Sequence, residues 1–168
     1  KFLHNIPIVV CFGLSPFAYY YFLRKLGLNR WASAIASFVS MASVAAFGNS
    51  FEAYHQAGIV TQSIGGLFFP WFMGNYIGML RGENRVSTTA LLFAIAFLSH
   101  AILSVFAAFA GALYFAISPI PLKKVWKRLG GFCLIGICLV AFWVFPFIAH
   151  QEQMRPIPDS IIRGSGVH

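Results

Sequence analysis

The stretch "TTALLFAIAFLSHAILSVFAAFAGALYFAI", residues 88–117, decides how this chain is arranged. It is thirty residues of nearly unbroken apolar sequence with one histidine, His100, near its centre. A helix crosses the roughly 30 Å hydrocarbon core of a bilayer with about 20 residues, so this run is long for one span and short for two. Its reading depends on the segments around it.

Those segments are apolar as well. Hydrophobic residues make up 59% of the 168, aromatic residues 17% and charged residues 10%, with a mean hydropathy of +0.76. A soluble domain carries about 25% charged residues to cover its surface. This chain cannot do so, and lipid is its expected solvent. The net charge of +8 would suggest nucleic acid in a soluble protein. Here the basic residues lie between apolar runs, where they act as topology signals, and no nucleic-acid partner is expected. The chain begins at Lys1 with no charged n-region or cleavage site before the first apolar run, which suggests an internal piece of a longer polytopic protein. The cysteines Cys11, Cys133 and Cys138 all fall in apolar runs. The last two lie roughly 140° apart on a helix, so they read as small packing residues, neither a disulfide nor a metal pair.

The expected spans are 6–23, 31–47, 63–80, the run 88–117, and 129–149. A polar stretch, "GNSFEAYHQAGIVTQ", covers 48–62, and a polar tail covers 151–168 after a transmembrane domain of 1–150. By the positive-inside rule, Arg24, Lys25 and Arg30 place loop 24–30 in the cytoplasm. Arg81 and Arg85 place loop 81–87 there too, as Lys123, Lys124, Lys127 and Arg128 do for loop 118–128. One helix across 88–117 would put the last loop outside, whereas two crossings put it inside. The run must therefore turn back, and Ser99 and His100 are the polar pair at which it can. The two resulting helices, of about 12 and 17 residues, reach roughly 18 and 25 Å. A short helix and a turn at membrane depth need protein packing or a watery cavity around them. The fold class is thus an all-α polytopic membrane helix bundle with about six inserted helices, including a short hairpin around Ser99–His100.

This topology collects Glu52, His55, His100, His150, Glu152, Asp159, Arg155 and Arg163 on the outer side. Glu52 and His55 form Glu-x-x-His, which on a helix shares one face and suits a metal ligand set or an acid–base pair, although a solvated loop is the commoner origin of a single such pair. His100 is either a functional site inside the membrane or, with Ser99, a filler for the free backbone groups of a helix break. Gln62 and Asn75 suit interhelical hydrogen bonds. Gly74 with Gly78, and Ala107 with Gly111, suit close helix packing. Gly65, Gly66 and Pro70 suggest an irregular or re-entrant start to the third span. No P-loop, dinucleotide fingerprint, HExxH or serine elbow occurs.

The order of features resembles a known group. "SPFAYYYFLRKLGLNRWASAIAS" (15–37) is similar to the Tyr…Arg-x-Leu-Gly-Leu-x-Arg stretch of large bacterial and archaeal membrane proteins with a GT-C glycosyltransferase-like fold. The resemblance is nearest to the integral membrane family labelled 6-pyruvoyl-tetrahydropterin-synthase-related. "GIVTQSIGGLFFPWFMGNYIGMLRGENR" (58–85), "LLFAIAFLSHAILSVFAAFAGALY" (91–114) and "VAFWVFPFIAH" (140–150) follow that family's later pattern.

The resemblance implies transfer of a sugar from a polyprenyl-phosphate donor at the outer face of a bacterial or archaeal cytoplasmic membrane. The partners are then the bilayer, the lipid-linked donor, and other chains or the remainder of the same protein. Such enzymes carry an essential acidic residue in an early outer loop. No stretch here matches that loop, and Glu52, in a later one, does not inherit its role. The catalytic carboxylate is expected upstream of Lys1. The remaining catalytic candidates are Glu52, His55 and His100, and the substrate-binding candidates are His100, Gln62 and Arg155. No metal site is expected from these residues, and participation of a divalent metal as cofactor stays open. The alternatives are a non-catalytic membrane scaffold or lipid-binding subunit, and a transporter fragment.

Overall fold

A computed structural model describes residues 2–42 and 60–150. Among these residues every regular element is a helix: α1 (Phe2–Leu26), α2 (Arg30–Ala42), α3 (Val60–Arg81), α4 (Val86–Ser99), α5 (Ala101–Ile117) and α6 (Leu122–Ala149). The break in the long run falls at His100, whose extended backbone (φ −157°, ψ 95°) both ends α4 and starts α5.

Local chemistry explains the other stops. In "RKLGLNR", Gly27 takes φ +102°, a conformation that costs glycine little, and the Leu28 N–H reaches back to the Leu23 carbonyl at 3.2 Å. Asn29 then caps α2, its Oδ1 accepting from the Ala32 N–H at 2.8 Å. "RGENR" repeats the device. Gly82 takes φ +85° and the Glu83 N–H reaches the Gly78 carbonyl at 2.8 Å. Between α5 and α6, Pro119 and Pro121 interrupt helix on both sides of Ile120.

Two elements differ from the sequence expectation. α6 starts at Leu122 rather than near 129, because Lys and Arg are good helix formers and Pro121 is well suited to a helix start. The basic segment is therefore largely the first two turns of a helix and not a loop. Nor is the start of the third span re-entrant, since α3 runs unbroken from Val60 through Pro70. The missing N–H at Pro70 removes one hydrogen bond, and Pro70 is buried against neighbouring helices, which hold the helix together across the gap.

The packing order is α2 on α1, α1 on α3, α3 on α4 and α4 on α6, with α5 leaning on α3 and α4. The faces that α1, α2, α4 and α5 bury are small: Cys11, Ser15 and Ala18 on α1, Ser33 and Ser37 on α2, Ala90 and Ala94 on α4, and Ser104, Ala107 and Gly111 on α5. In contrast α3, against which most of them pack, buries large residues such as Leu67, Phe72, Met73 and Met79. The outward side chains are large and apolar, among them Phe17, Phe38, Phe109 and Phe142. Small contact faces under a large apolar exterior suit helices packed in lipid, where close backbone approach takes over from hydrophobic exclusion as the force of association. α6 is the one helix among the described residues that is both long and apolar enough, by length and hydropathy, to cross a membrane. Its exposed Trp126 and its Trp143 lie about 25 Å apart along the helix axis, close to a hydrocarbon thickness.

All three basic connections meet at one end. Lys25 pairs with Glu83, Arg81 donates to the Tyr114 hydroxyl at 3.1 Å, and Arg128 reaches the carbonyls of Met79 and Leu80. α4 and α5 therefore run out to His100 and back, as the charge pattern requires.

Candidate functional site

The turn at 81–85 organises the basic end. Its Asn84 amide donates to the Tyr21 hydroxyl at 2.6 Å and to Asn75 Oδ1 at 2.8 Å, joining α1 and α3. Thr89 Oγ1 donates to the Arg85 carbonyl and reaches the Asn75 carbonyl, which ties in α4. The Gly74/Gly78 pair makes room for this network. A β-carbon at Gly74 would lie 2.7 Å from the Tyr21 ring, and one at Gly78 would lie 2.7 Å from Asn84 Cγ. The Asn75 side chain bonds within its own helix and the turn after it, donating to the Trp71 carbonyl at 3.0 Å and accepting from Asn84. The expected interhelical bond is therefore made by its backbone carbonyl and not by its side chain, while the GxxxG signal serves two different partners.

Beside this turn lies an open pocket of about 580 Å³, lined by Leu80, Arg81, Pro119, Ile120, Pro121, Lys124 and Arg128. The Arg128 guanidinium lies against Gly82, where a β-carbon would be 2.7 Å from Nη2. From there Nη1 donates to the Leu80 carbonyl at 3.3 Å, satisfying an acceptor at the α3 C-terminus. Glu83 is the one carboxylate among the described residues, and Lys25 holds it.

A second cavity, of about 330 Å³, lies between α5 and α6, which hardly touch each other. Its floor is an aromatic cluster: Phe72 lies 5.3 Å from Phe93 and 6.0 Å from Phe132, and Tyr76 lies 5.9 Å from Phe132. Such contacts stabilise by about 0.5–1.5 kcal/mol each beyond simple burial. Ala107, Ala108, Gly111 and Ala112 form one wall, and Cys133, Gly136, Ile137 and Val140 the other. Small residues on α5 keep the cleft open, and its only polar side-chain groups are the Tyr76 hydroxyl and the Cys133 thiol. The three cysteines are free.

His100 lies two helical turns beyond Ala107, at the end of the molecule opposite the basic turns. Its Nδ1 accepts from the Leu103 N–H at a long 3.4 Å, which leaves Nε2 to carry the proton. Ser99 Oγ donates to the Ile95 carbonyl at 2.6 Å. The pair therefore satisfies backbone groups of the break. The half-buried ring packs beside Gly65, where a β-carbon would be 3.2 Å from His100 Cβ. Glu52, His55 and Arg155 lie outside the described residues. Gln62 lies in the first turn of α3, with its side chain outside those described. Among the described residues no three His, Cys, Asp or Glu side chains converge on a metal position.

Sequence reasoning treated Arg81, Lys124 and Arg128 as topology signals and passed over Tyr21, Asn84 and Tyr114. The readable signal was there: a Gly-Glu-Asn turn inside an arginine pair, and two prolines ahead of a run of lysines. No curated protein and no solved structure matches the chain. A family model described as the 6-pyruvoyl-tetrahydropterin synthase related domain, a membrane protein, matches residues 4–156. An apolar exterior around small-residue helix contacts is the form such a membrane chain should take, and the protein belongs to this 6-pyruvoyl-tetrahydropterin-synthase-related membrane family.

Proposed function

We propose that the chain is a polytopic membrane module of GT-C glycosyltransferase-like type that holds a polyprenyl-phosphate-linked sugar at the outer face of a bacterial or archaeal cytoplasmic membrane. In this reading all six helices are inserted, the basic turns face the cytoplasm, and His100 lies towards the outer side. The observation that supports it is the cleft between α5 and α6. It is apolar, floored by Phe72, Phe93 and Phe132, and unfilled by the protein's own side chains. An isoprenoid chain is a branched hydrocarbon of matching chemistry, and a cavity of this size lies at the lower end of the range for ligand pockets. In this reading the sugar phosphate lies above the cleft and the Nε2–H of His100 donates to one of its oxygens. Glu52, His55, Gln62 and Arg155, assigned to the outer side by the charge pattern of the sequence, are this reading's further candidates for the polar end.

The test fills the cleft. In the full-length protein, Ala108→Trp and Ala112→Trp place an indole in the cavity from positions that are exposed, so folding should survive. Retention of a polyprenyl-phosphate sugar should fall sharply, whereas Leu113→Trp, on the neighbouring exposed face, should leave it unchanged. Equal retention in all three variants would remove the cleft from the reading.

A second reading, a non-catalytic lipid-binding subunit, is favoured by Glu83. The one described carboxylate is paired with Lys25 at the end away from His100, so it is badly placed to act as a base there. Lipid retention without transfer, in the full-length protein, would select this alternative.

A further inference from the structure

The pocket at the basic end is a different place from the cleft, and it has a chemistry of its own. Its floor is cationic: Arg81, Lys124 and Arg128 line it together. The two arginines are held in place by the protein. Arg81 donates to Tyr114 and Arg128 to the end of α3, and each guanidinium has five N–H donors, so each keeps several for a ligand. Lys124 makes no ion pair among the described residues, and the one described carboxylate is taken by Lys25.

The start of α6 adds to this charge. Its first turn holds Lys123 and Lys124 and no acid, against the usual preference of a helix N-terminus for negative charge. A bound anion would relieve the mutual repulsion of these groups and meet the positive end of the helix.

Apolar side chains are exposed beside the pocket. Ile117 and Leu122 flank the Pro-Ile-Pro segment and are 74% and 58% exposed. Trp126 lies one turn into α6 with Lys127 over its ring, and Trp31 carries Arg30 in the same way at the same end. Exposed tryptophans beside cations mark the headgroup level of a bilayer. A cationic pocket with exposed apolar surface beside it at that level complements a lipid headgroup and its chains. A free anion would gain nothing from the apolar surface.

We infer that Arg81, Lys124 and Arg128 bind the phosphate headgroup of an anionic phospholipid of the surrounding leaflet, whose acyl chains descend over Ile117 and Leu122. Basic pockets between helices on the cytoplasmic side are a known way to select such lipids. The site is independent of the proposed sugar-donor reading, since it lies at the opposite end from His100 and shares no lining residue with the cleft.

The test uses the full-length protein in detergent, titrated with phosphatidylglycerol, phosphatidylcholine or inorganic phosphate, with bound lipid read by native mass spectrometry. Phosphatidylglycerol should be retained in preference to phosphatidylcholine. Lys124→Gln should weaken that preference about fivefold, the effect of one charge at the headgroup surface. Lys127→Gln removes the same charge three residues away, outside the pocket lining, and should leave the preference intact. Both variants keep the Arg128 contact to α3, so a folding failure is not expected. Equal loss in the two variants would mean diffuse attraction and overturn the pocket. So would equal retention of the two lipids, or displacement of phosphatidylglycerol by inorganic phosphate at comparable concentration.

Discussion

Replacing Asn84 with alanine removes one amide that serves two helices. Its two N–H groups go to Tyr21 on α1 and Asn75 on α3, at 2.6 and 2.8 Å. Hydrogen bonds between membrane helices average about 0.6 kcal/mol with a maximum near 1.7, so the pair should contribute about 1–3 kcal/mol. Gly78 supplies the internal control. A β-carbon there would lie 2.7–2.9 Å from Asn84 Cγ, Nδ2 and Oδ1, so the amide must move and its bonds must lengthen. Gly78→Ala should therefore destabilise the wild-type protein despite the roughly 1 kcal/mol that alanine gains over glycine in a helix. In the Asn84→Ala background those three atoms are gone, and the same substitution should stabilise. The assay is reversible unfolding of the full-length protein in bicelles, run as a double-mutant cycle. A change of sign between the two backgrounds is the expected result. If Gly78→Ala has the same effect with and without the Asn84 side chain, the network does not hold the turn as described.

Three further outcomes rest on the same contacts. Gly82→Ala imposes a φ of +85° on a residue with a side chain and drives a β-carbon to 2.7 Å from Arg128 Nη2, so unfolding should become easier by about 1–3 kcal/mol. Arg128→Gln should release part of that clash in the double variant. His100→Ala removes the cap of α5 and should cost about 1 kcal/mol, whereas His100→Asn keeps a capping side chain and should restore stability. If the Asn variant is stable yet fails to retain a polyprenyl-phosphate sugar, His100 does more than cap the helix. With the native cysteines replaced, cysteines at Leu28 and Ile120 should label from one and the same side of the membrane. Labelling from opposite sides would refute the return of α5.

The helical class and the return of the chain at His100 were legible because each rests on a signal that lipid makes severe. Too few charges exist to cover a soluble surface, and basic residues on three connections can share one side only if the run 88–117 doubles back. The two misread boundaries have different causes. Lys123 to Arg128 were read by charge, which reports where a segment lies relative to a membrane but not its backbone, and these residue types are good helix formers. Pro70 was read by propensity, which neighbouring helices override. The polar network around Asn84 was less accessible still. Tyr21 and Asn84 are 63 residues apart, and nothing in either local sequence names the other. Gly78 and Asn84 meet because the chain turns at Gly82, which folds one back over the other. The basic pocket was hidden for a related reason. A topology rule counts Arg81, Lys124 and Arg128 one by one, whereas their chemistry arises only because α3 ends where α6 begins. Three basic residues that the sequence separates are then brought to the lining of a single pocket.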